Sequence, residues 1–157
     1  MKIISMIPAR YQASRFPAKL MQDLNGKPVI VRTYEAAVNT GLFDEVYVVT
    51  DSDLIFDVIS EIGGKVLKSR NEHESGSDRI AEAVEDLEVD IVINVQGDEP
   101  LIPIENIEQV AKLLDIKKEA VVATLCEQMS TAEEVYNSNN VKVVFDKQEA
   151  HKDLLSN

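Results

Sequence analysis

Short apolar runs alternate along this chain with longer stretches in which apolar positions recur every three or four residues. Ile3 to Ile7 is an apolar run closed by Pro8, with the length and flanks of a buried strand. Residues 9–19 show neither period. They are polar, basic and small, an unusually long loop for a strand-to-helix connection. After the punctuation of Gly26-Lys27-Pro28, Val29 to Asn39 reads as a helix with Gly41 as its stop. Val46, Val48 and Val49 mark Glu45 to Thr50 as a second strand. Asp51 or Ser52 caps a helix over residues 53–61, which Gly63-Gly64 ends. Lys65 to Lys68 predicts a short third strand, Ser77 to Leu87 an amphipathic helix, and Ile91 to Val95 the clearest central strand. Ile104, Ile107, Val110, Ala111 and Leu114 set a helix over 104–114. The pattern then predicts a strand over Ala120–Leu125, a short helix over Ala132–Val135 and a last strand over Val141–Phe145. Gln148 to Asn157 is polar, lacks a period and reads as a frayed tail. This alternation implies an α/β fold, a mostly parallel sheet with helices on both faces.

Composition and charge narrow the functional classes. The 157 residues include 16 Lys and Arg against 28 Asp and Glu, a formal net charge of −12. No surplus of cations exists to displace counterions from a duplex, so nucleic acid is not the expected partner; one bound nucleotide needs only a few local cations. The single cysteine, Cys126, permits no intrachain disulfide and no cysteine zinc cluster. At the end of an apolar stretch it is expected as a buried small hydrophobe. His73 lies in a polar loop without a second ligand at useful spacing, and the run from Glu82 to Glu88 reads as a solvated helix face. No apolar run approaches membrane-spanning length, and the opening Met1 to Pro8, interrupted by Ser5, is too short for the apolar part of a signal peptide. The expectation is a soluble protein of the reducing cytoplasm, without a membrane partner, large enough to bury one core.

In open α/β sheets, ligands bind beyond the carboxyl ends of the strands. Three loops at such ends carry conspicuous polar residues. The first, residues 9–19, holds Arg10, Arg15 and Lys19 in an otherwise acidic chain, interleaved with the small residues Ala9, Ala13, Ser14 and Ala18. Cations beside closely approachable backbone amides suit a polyphosphate; the alternative is a solvated basic loop. It lacks the glycines of a Walker loop or a dinucleotide fingerprint. The second is Asn94-Val95-Gln96-Gly97-Asp98-Glu99-Pro100. Gly97 permits a tight turn that leaves Asp98 at the sheet end. A carboxylate beside a polyphosphate is a natural Mg²⁺ ligand, and capping of the next helix is the alternative. The third is Glu74-Ser75-Gly76-Ser77-Asp78-Arg79. Ser75 or Ser77 suits a helix N-cap, and exposed amides near Gly76 suit the edge of a base.

Together these loops resemble the 3-deoxy-manno-octulosonate cytidylyltransferase (CMP-Kdo synthetase) family. Ile7-Pro8-Ala9-Arg10-Tyr11, Ser14-Arg15-Phe16-Pro17-Ala18-Lys19 and Asn25-Gly26-Lys27-Pro28 look like the opening of that family. Thr50-Asp51, the loop from Glu74 to Arg79, the loop from Asn94 to Pro100 and Asn140-Val141-Lys142-Val143-Val144 are similar to its later motifs, in order. The resemblance implies a Rossmann-like nucleotide-diphospho-sugar transferase fold and a Mg²⁺-dependent, usually homodimeric enzyme. Such an enzyme transfers CMP from CTP to 3-deoxy-D-manno-octulosonate (Kdo) and releases pyrophosphate, in lipopolysaccharide biosynthesis. Carried over residue by residue, it implies that Arg10 and Lys19 hold the triphosphate within a loop formed with Ala9 and Ser14 and supported by Arg15. It further implies that Asp98 ligates Mg²⁺, that Gln96 lies beside the sugar, and that Ser75, Gly76 and Arg79 contribute to the nucleotide pocket.

Two departures accompany the resemblance. The family commonly has Gly where Ala18 stands, and Ala fits if its φ is negative. The family chain also continues past residue 145 through further sugar-binding elements and a late Asp that completes the metal site. The expectation is therefore an incomplete nucleotidyltransferase domain over residues 1–146, with its C-terminal part missing, followed by a non-matching tail over 147–157. The alternatives are a catalytically impaired nucleotide-binding remnant and a cytidylyltransferase for another acidic sugar.

Overall fold

The computed structural model describes residues 1–11, 18–71, 73, 75–116 and 119–143. The chain divides into two compact units, Met1–Val121 and Val122–Asn157.

The first unit is built on four parallel strands, β1 (Ile3–Ala9), β2 (Glu45–Thr50), β3 (Lys65–Lys68) and β4 (Ile91–Asn94), in the order β3-β2-β1-β4. Its helices are α1 (Val29–Asn39), α2 (Asp53–Glu61), α3 (Gly76–Val84) and α4 (Ile104–Ile116). Strand side chains alternate between faces, and both faces are covered. Ile7 and Ala9 of β1, Val46 and Val48 of β2, and Ile91 and Ile93 of β4 pack in one cluster with Ile30, Val31, Ile55, Ile59 and Ile107 from α1, α2 and α4. Ile4, Met6 and Val49 form the opposite cluster with Ile80 of α3. The expected two-faced parallel architecture is what the structure contains.

Several boundaries fall where local chemistry sets them. Ser52, not Asp51, caps α2 by accepting the Ile55 amide. Ser75 caps α3 by accepting the Asp78 amide, so this helix begins earlier than its apolar spacing predicts; it also ends earlier, at Val84. β1 continues through Pro8 to Ala9, although Pro lacks an amide donor. The Met6 carbonyl accepts from Val95 at 3.1 Å, which places the even-numbered backbone groups of β1 toward β4. Pairing with β4 ends at Met6, so the donor missing from Pro8 faces no ladder.

Residues 120–125 do not form the expected strand. Val121 and Val122 are 94% and 79% exposed, and a strand exists only where ladder bonds form. Cys126, expected to be buried, is exposed for the same reason. In the second unit α5 (Ala132–Tyr136) appears as expected, held by a capping box between Thr131 and Glu134. Residues 141–143 are not a strand; 144 and 145, like the tail over 147–157, lie outside the described residues. No helix among the described residues is long and apolar enough to cross a membrane.

Candidate active site

Parallel strands align their carboxyl ends, and the loops that leave β1, β3 and β4 carry the candidate residues. Ala9 ends β1 opposite Thr50 at the end of β2. Its side chain is fully buried in the core, so only its backbone is available to a ligand. Arg10 follows, half-buried. The Ala18 amide then donates to the Tyr11 carbonyl at 3.0 Å, which closes the loop and returns the chain to the end of β1. Arg10 and Lys19 flank the two ends of that bond. Ser14 and Arg15 lie outside the described residues. Lys19 opens a 3-10 turn, Lys19–Met21, anchored by buried Leu20.

Ala18 departs from expectation. Its φ is +56°, in the left-handed region, rather than negative. A Cβ there crowds the following carbonyl, which costs about 1–2 kcal/mol. Ala18 keeps this conformation because both of its backbone groups are tied: its N–H to Tyr11, and its carbonyl to the Met21 amide at 2.9 Å.

The turn after β4 meets this loop. The Lys19 ammonium donates to and ion-pairs with the Asp98 carboxylate, across 79 residues of sequence. Both side chains are partly exposed, at 50% and 39%. Gly97 is needed at the crossing. A Cβ on it would lie 3.1 Å from the Pro8 carbonyl and 3.2 Å from a Leu20 methyl, and backbone cannot yield as a side-chain tip can. Gln96 is exposed beside them, its amide donating to Asn94 at 3.1 Å.

The third loop packs on the same strand end, with a Gly76 Cβ position 3.1 Å from the Pro8 ring. The Ser75 hydroxyl is committed to Asp78, accepting its amide at 3.1 Å and donating to its carboxylate at 2.6 Å. Ser75 and Gly76 therefore offer a ligand backbone amides, the unsatisfied donors of a helix start. Arg79 is 1% exposed. Its Nη2 donates to Asp51 at 2.8 Å, while Nε and Nη1 are buried without a hydrogen-bond partner. Buried unpaired donors are costly and call for a reason. From within this helix, Glu82 reaches back to the preceding loop: it accepts from the Arg70 amide at 2.6 Å and the Asn71 amide group at 2.8 Å, and lies 3.0 Å from His73. These bonds, the Arg70 amide first, hold its pKa down at about 2. Glu82 is thus a clasp on the loop, not part of a solvated face.

Two roles escaped the sequence reading. Asp51, read as a cap candidate and as part of the Thr50-Asp51 motif, is the partner of Arg79. Thr33, a fully buried helix residue, donates to the Gly97 carbonyl at 2.8 Å.

For a metal, the described residues offer the Asp98 carboxylate, with the Lys19 ammonium already beside it. No group of three or more His, Cys, Asp or Glu side chains among the described residues is arranged to hold an ion. The donor set fits an ion that takes its remaining ligands from substrate phosphate and water, the usual habit of Mg²⁺.

Known proteins share this plan. A 3-deoxy-manno-octulosonate cytidylyltransferase of Flavobacterium johnsoniae is 62% identical over 148 residues, 93% of this chain and 61% of that protein. One from Francisella tularensis is 56% identical over 145 residues, 90% of this chain and 58% of its own. The chain thus spans about three fifths of the length of these curated relatives. A solved CMP:2-keto-3-deoxy-manno-octonic acid synthetase in complex with CTP superposes with a TM-score of 0.71 at 40% identity, over 75% of this chain and 49% of that one. A cytidylyltransferase of Leptospira borgpetersenii shares the fold, with a TM-score of 0.65 at 21% identity over 75% of this chain and 50% of that one. The family model described as cytidylyltransferase matches residues 4–156. With three polar loops gathered at one sheet end and a family pattern running nearly the whole sequence, the chain belongs to the cytidylyltransferase family.

Proposed function

We propose that this chain carries the nucleotide-binding end of an enzyme that transfers CMP from CTP to Kdo, giving CMP-Kdo and pyrophosphate for lipopolysaccharide biosynthesis. The observation that carries the reading is the approach of Lys19 to Asp98. A phosphate-binding cation and a metal-binding carboxylate meet at the carboxyl end of a parallel sheet, where such folds bind ligands.

In this reading Lys19 and Arg10 hold the triphosphate, with Arg15 and the small residues Ala9 and Ser14 letting the backbone come close. Arg79 and the amides at Ser75 and Gly76 belong to the nucleotide pocket, and the two unpaired Arg79 donors are kept for a bound ligand. Gln96 lies beside the sugar. Asp98 ligates Mg²⁺, which when bound neutralises charge on the phosphates. Phosphoryl transfer asks mainly for positioning and charge neutralisation. A Kdo hydroxyl attacks the α-phosphorus in line; the bond from that phosphorus to pyrophosphate breaks, and the hydroxyl proton leaves to solvent. Lys19 exchanges the Asp98 carboxylate for phosphate oxygens and stabilises the departing pyrophosphate.

The test pairs calorimetric titration of CTP with a pyrophosphate-release assay in the presence of Mg²⁺ and Kdo. With one carboxylate at the metal position, we expect weak CTP binding and slow, Kdo-dependent release. Absence of any CTP binding would contradict the reading.

A further inference from the structure

We infer that Thr33 is a positioning residue of this site, setting through one buried hydrogen bond the turn that presents Asp98; the inference rests on the reading of Asp98 as a metal ligand. Thr33 lies one turn into α1 and is fully buried. A threonine inside a helix ordinarily returns its hydroxyl to the carbonyl four residues back. Here that distance, to Val29, is 3.2 Å, while the Gly97 carbonyl lies at 2.8 Å. A hydroxyl has one proton, and the shorter approach assigns it to Gly97.

The consequence reaches both members of the ion pair. The Val29 amide donates to the Gln22 carbonyl at 3.0 Å, and the Gln22 amide donates to the Lys19 carbonyl at 3.2 Å. The start of α1 therefore holds the Lys19 turn through its backbone and the Asp98 turn through the Thr33 side chain. Between them, Gly97 packs closely on the Pro8 carbonyl and Leu20, where an added Cβ would be tight at 3.1–3.3 Å. Contact alone prevents Gly97 from moving inward. The hydrogen bond fixes its carbonyl, and with it the peptide that leads into Asp98. Asp98 itself is partly exposed; Lys19 pairs with its carboxylate, and the Gly97 peptide sets the backbone from which that carboxylate extends.

The experiment compares Thr33→Val, which keeps the shape and removes the hydroxyl, with Thr33→Ser, which keeps the hydroxyl. Mn²⁺ serves as the probe, titrated into the full chain saturated with CTP; CTP alone is titrated with EDTA present. We expect Thr33→Val to weaken Mn²⁺ binding about tenfold while metal-free CTP affinity stays within about twofold, and Thr33→Ser to restore the metal affinity. Unchanged Mn²⁺ affinity in Thr33→Val, with Asp98→Asn abolishing it, overturns the role of Thr33 and leaves the reading of Asp98 standing. Equal Mn²⁺ binding by the wild type and Asp98→Asn overturns that reading, and the inference falls with it. Should Thr33→Val not fold, Thr33→Cys carries the comparison: its weak thiol donor must bind Mn²⁺ less well than Thr33→Ser, and equality contradicts the proposal.

Discussion

Ala18 holds a backbone conformation that its own side chain disfavours, one residue before Lys19, the lysine proposed to hold the triphosphate. Glycine would remove the clash of about 1–2 kcal/mol but give the unfolded chain more freedom, about 0.4–1 kcal/mol. Ala18→Gly is therefore expected to stabilise the protein by about 0.5–1 kcal/mol, read from urea denaturation; a loss of stability would mean that φ there is negative in solution. Arg79 presents the opposite balance. Its two unpaired buried donors weaken the fold, and its partner Asp51 is 40% exposed and stays solvated without it. Arg79→Met should leave stability within about 1 kcal/mol of wild type and lower CTP affinity. A large loss of stability with unchanged affinity would make Arg79 purely structural. Charge type makes Arg10, Lys19 and Asp98 legible in the sequence, because three cations in an acidic chain and a carboxylate beside glycine stand out. Thr33 is not legible: its partner is 64 residues away, and nothing local distinguishes it from any buried helix threonine.

Elements with complete local signals appear in the structure with the bounds that their patterns predict. α1, α2, β2 and β3 each combine an apolar period with a stop or cap, and all four run over the predicted residues. α3 starts early because Ser75 caps it, and it ends at Val84, where the Glu85 and Leu87 amides turn to carbonyls three residues back, although the apolar spacing continues to Leu87. Residues 120–125 fail as a strand because apolar composition cannot supply the ladder partner that a strand requires. The loop before α3 depends on Glu82, whose carboxylate is held to about 2 against an ordinary 4.5. A depressed folded-state pKa stabilises above the unfolded value and loses that contribution as pH falls through the folded one. Glu82 therefore contributes fully above pH 4.5 and progressively less toward pH 2. Thermal melts of wild type and Glu82→Gln should differ near neutral pH and converge across that window. A gap that is constant with pH would show that the clasp does not depend on the Glu82 charge.

At the scale of the molecule, a chain of net charge −12 disfavours approach of a nucleotide triphosphate except where cations gather. The strand order β3-β2-β1-β4 puts β1 at the centre, and the loops after β1, β3 and β4 all reach the end of that strand, two of them touching Pro8. That convergence follows from parallel topology, which the alternating pattern makes readable; the packing that brings Lys19 onto Asp98 does not follow from any local pattern. If the cationic loop grips the phosphate tail, affinity should rise with each phosphate. The most direct measurement is calorimetric titration of CTP, CDP and CMP into the wild-type chain and Lys19→Ala. The expected result is CTP tightest and CMP weakest in the wild type, with Lys19→Ala losing most of the CTP affinity and nearly all of the difference among the three. Equal CTP affinity in wild type and Lys19→Ala would contradict the account.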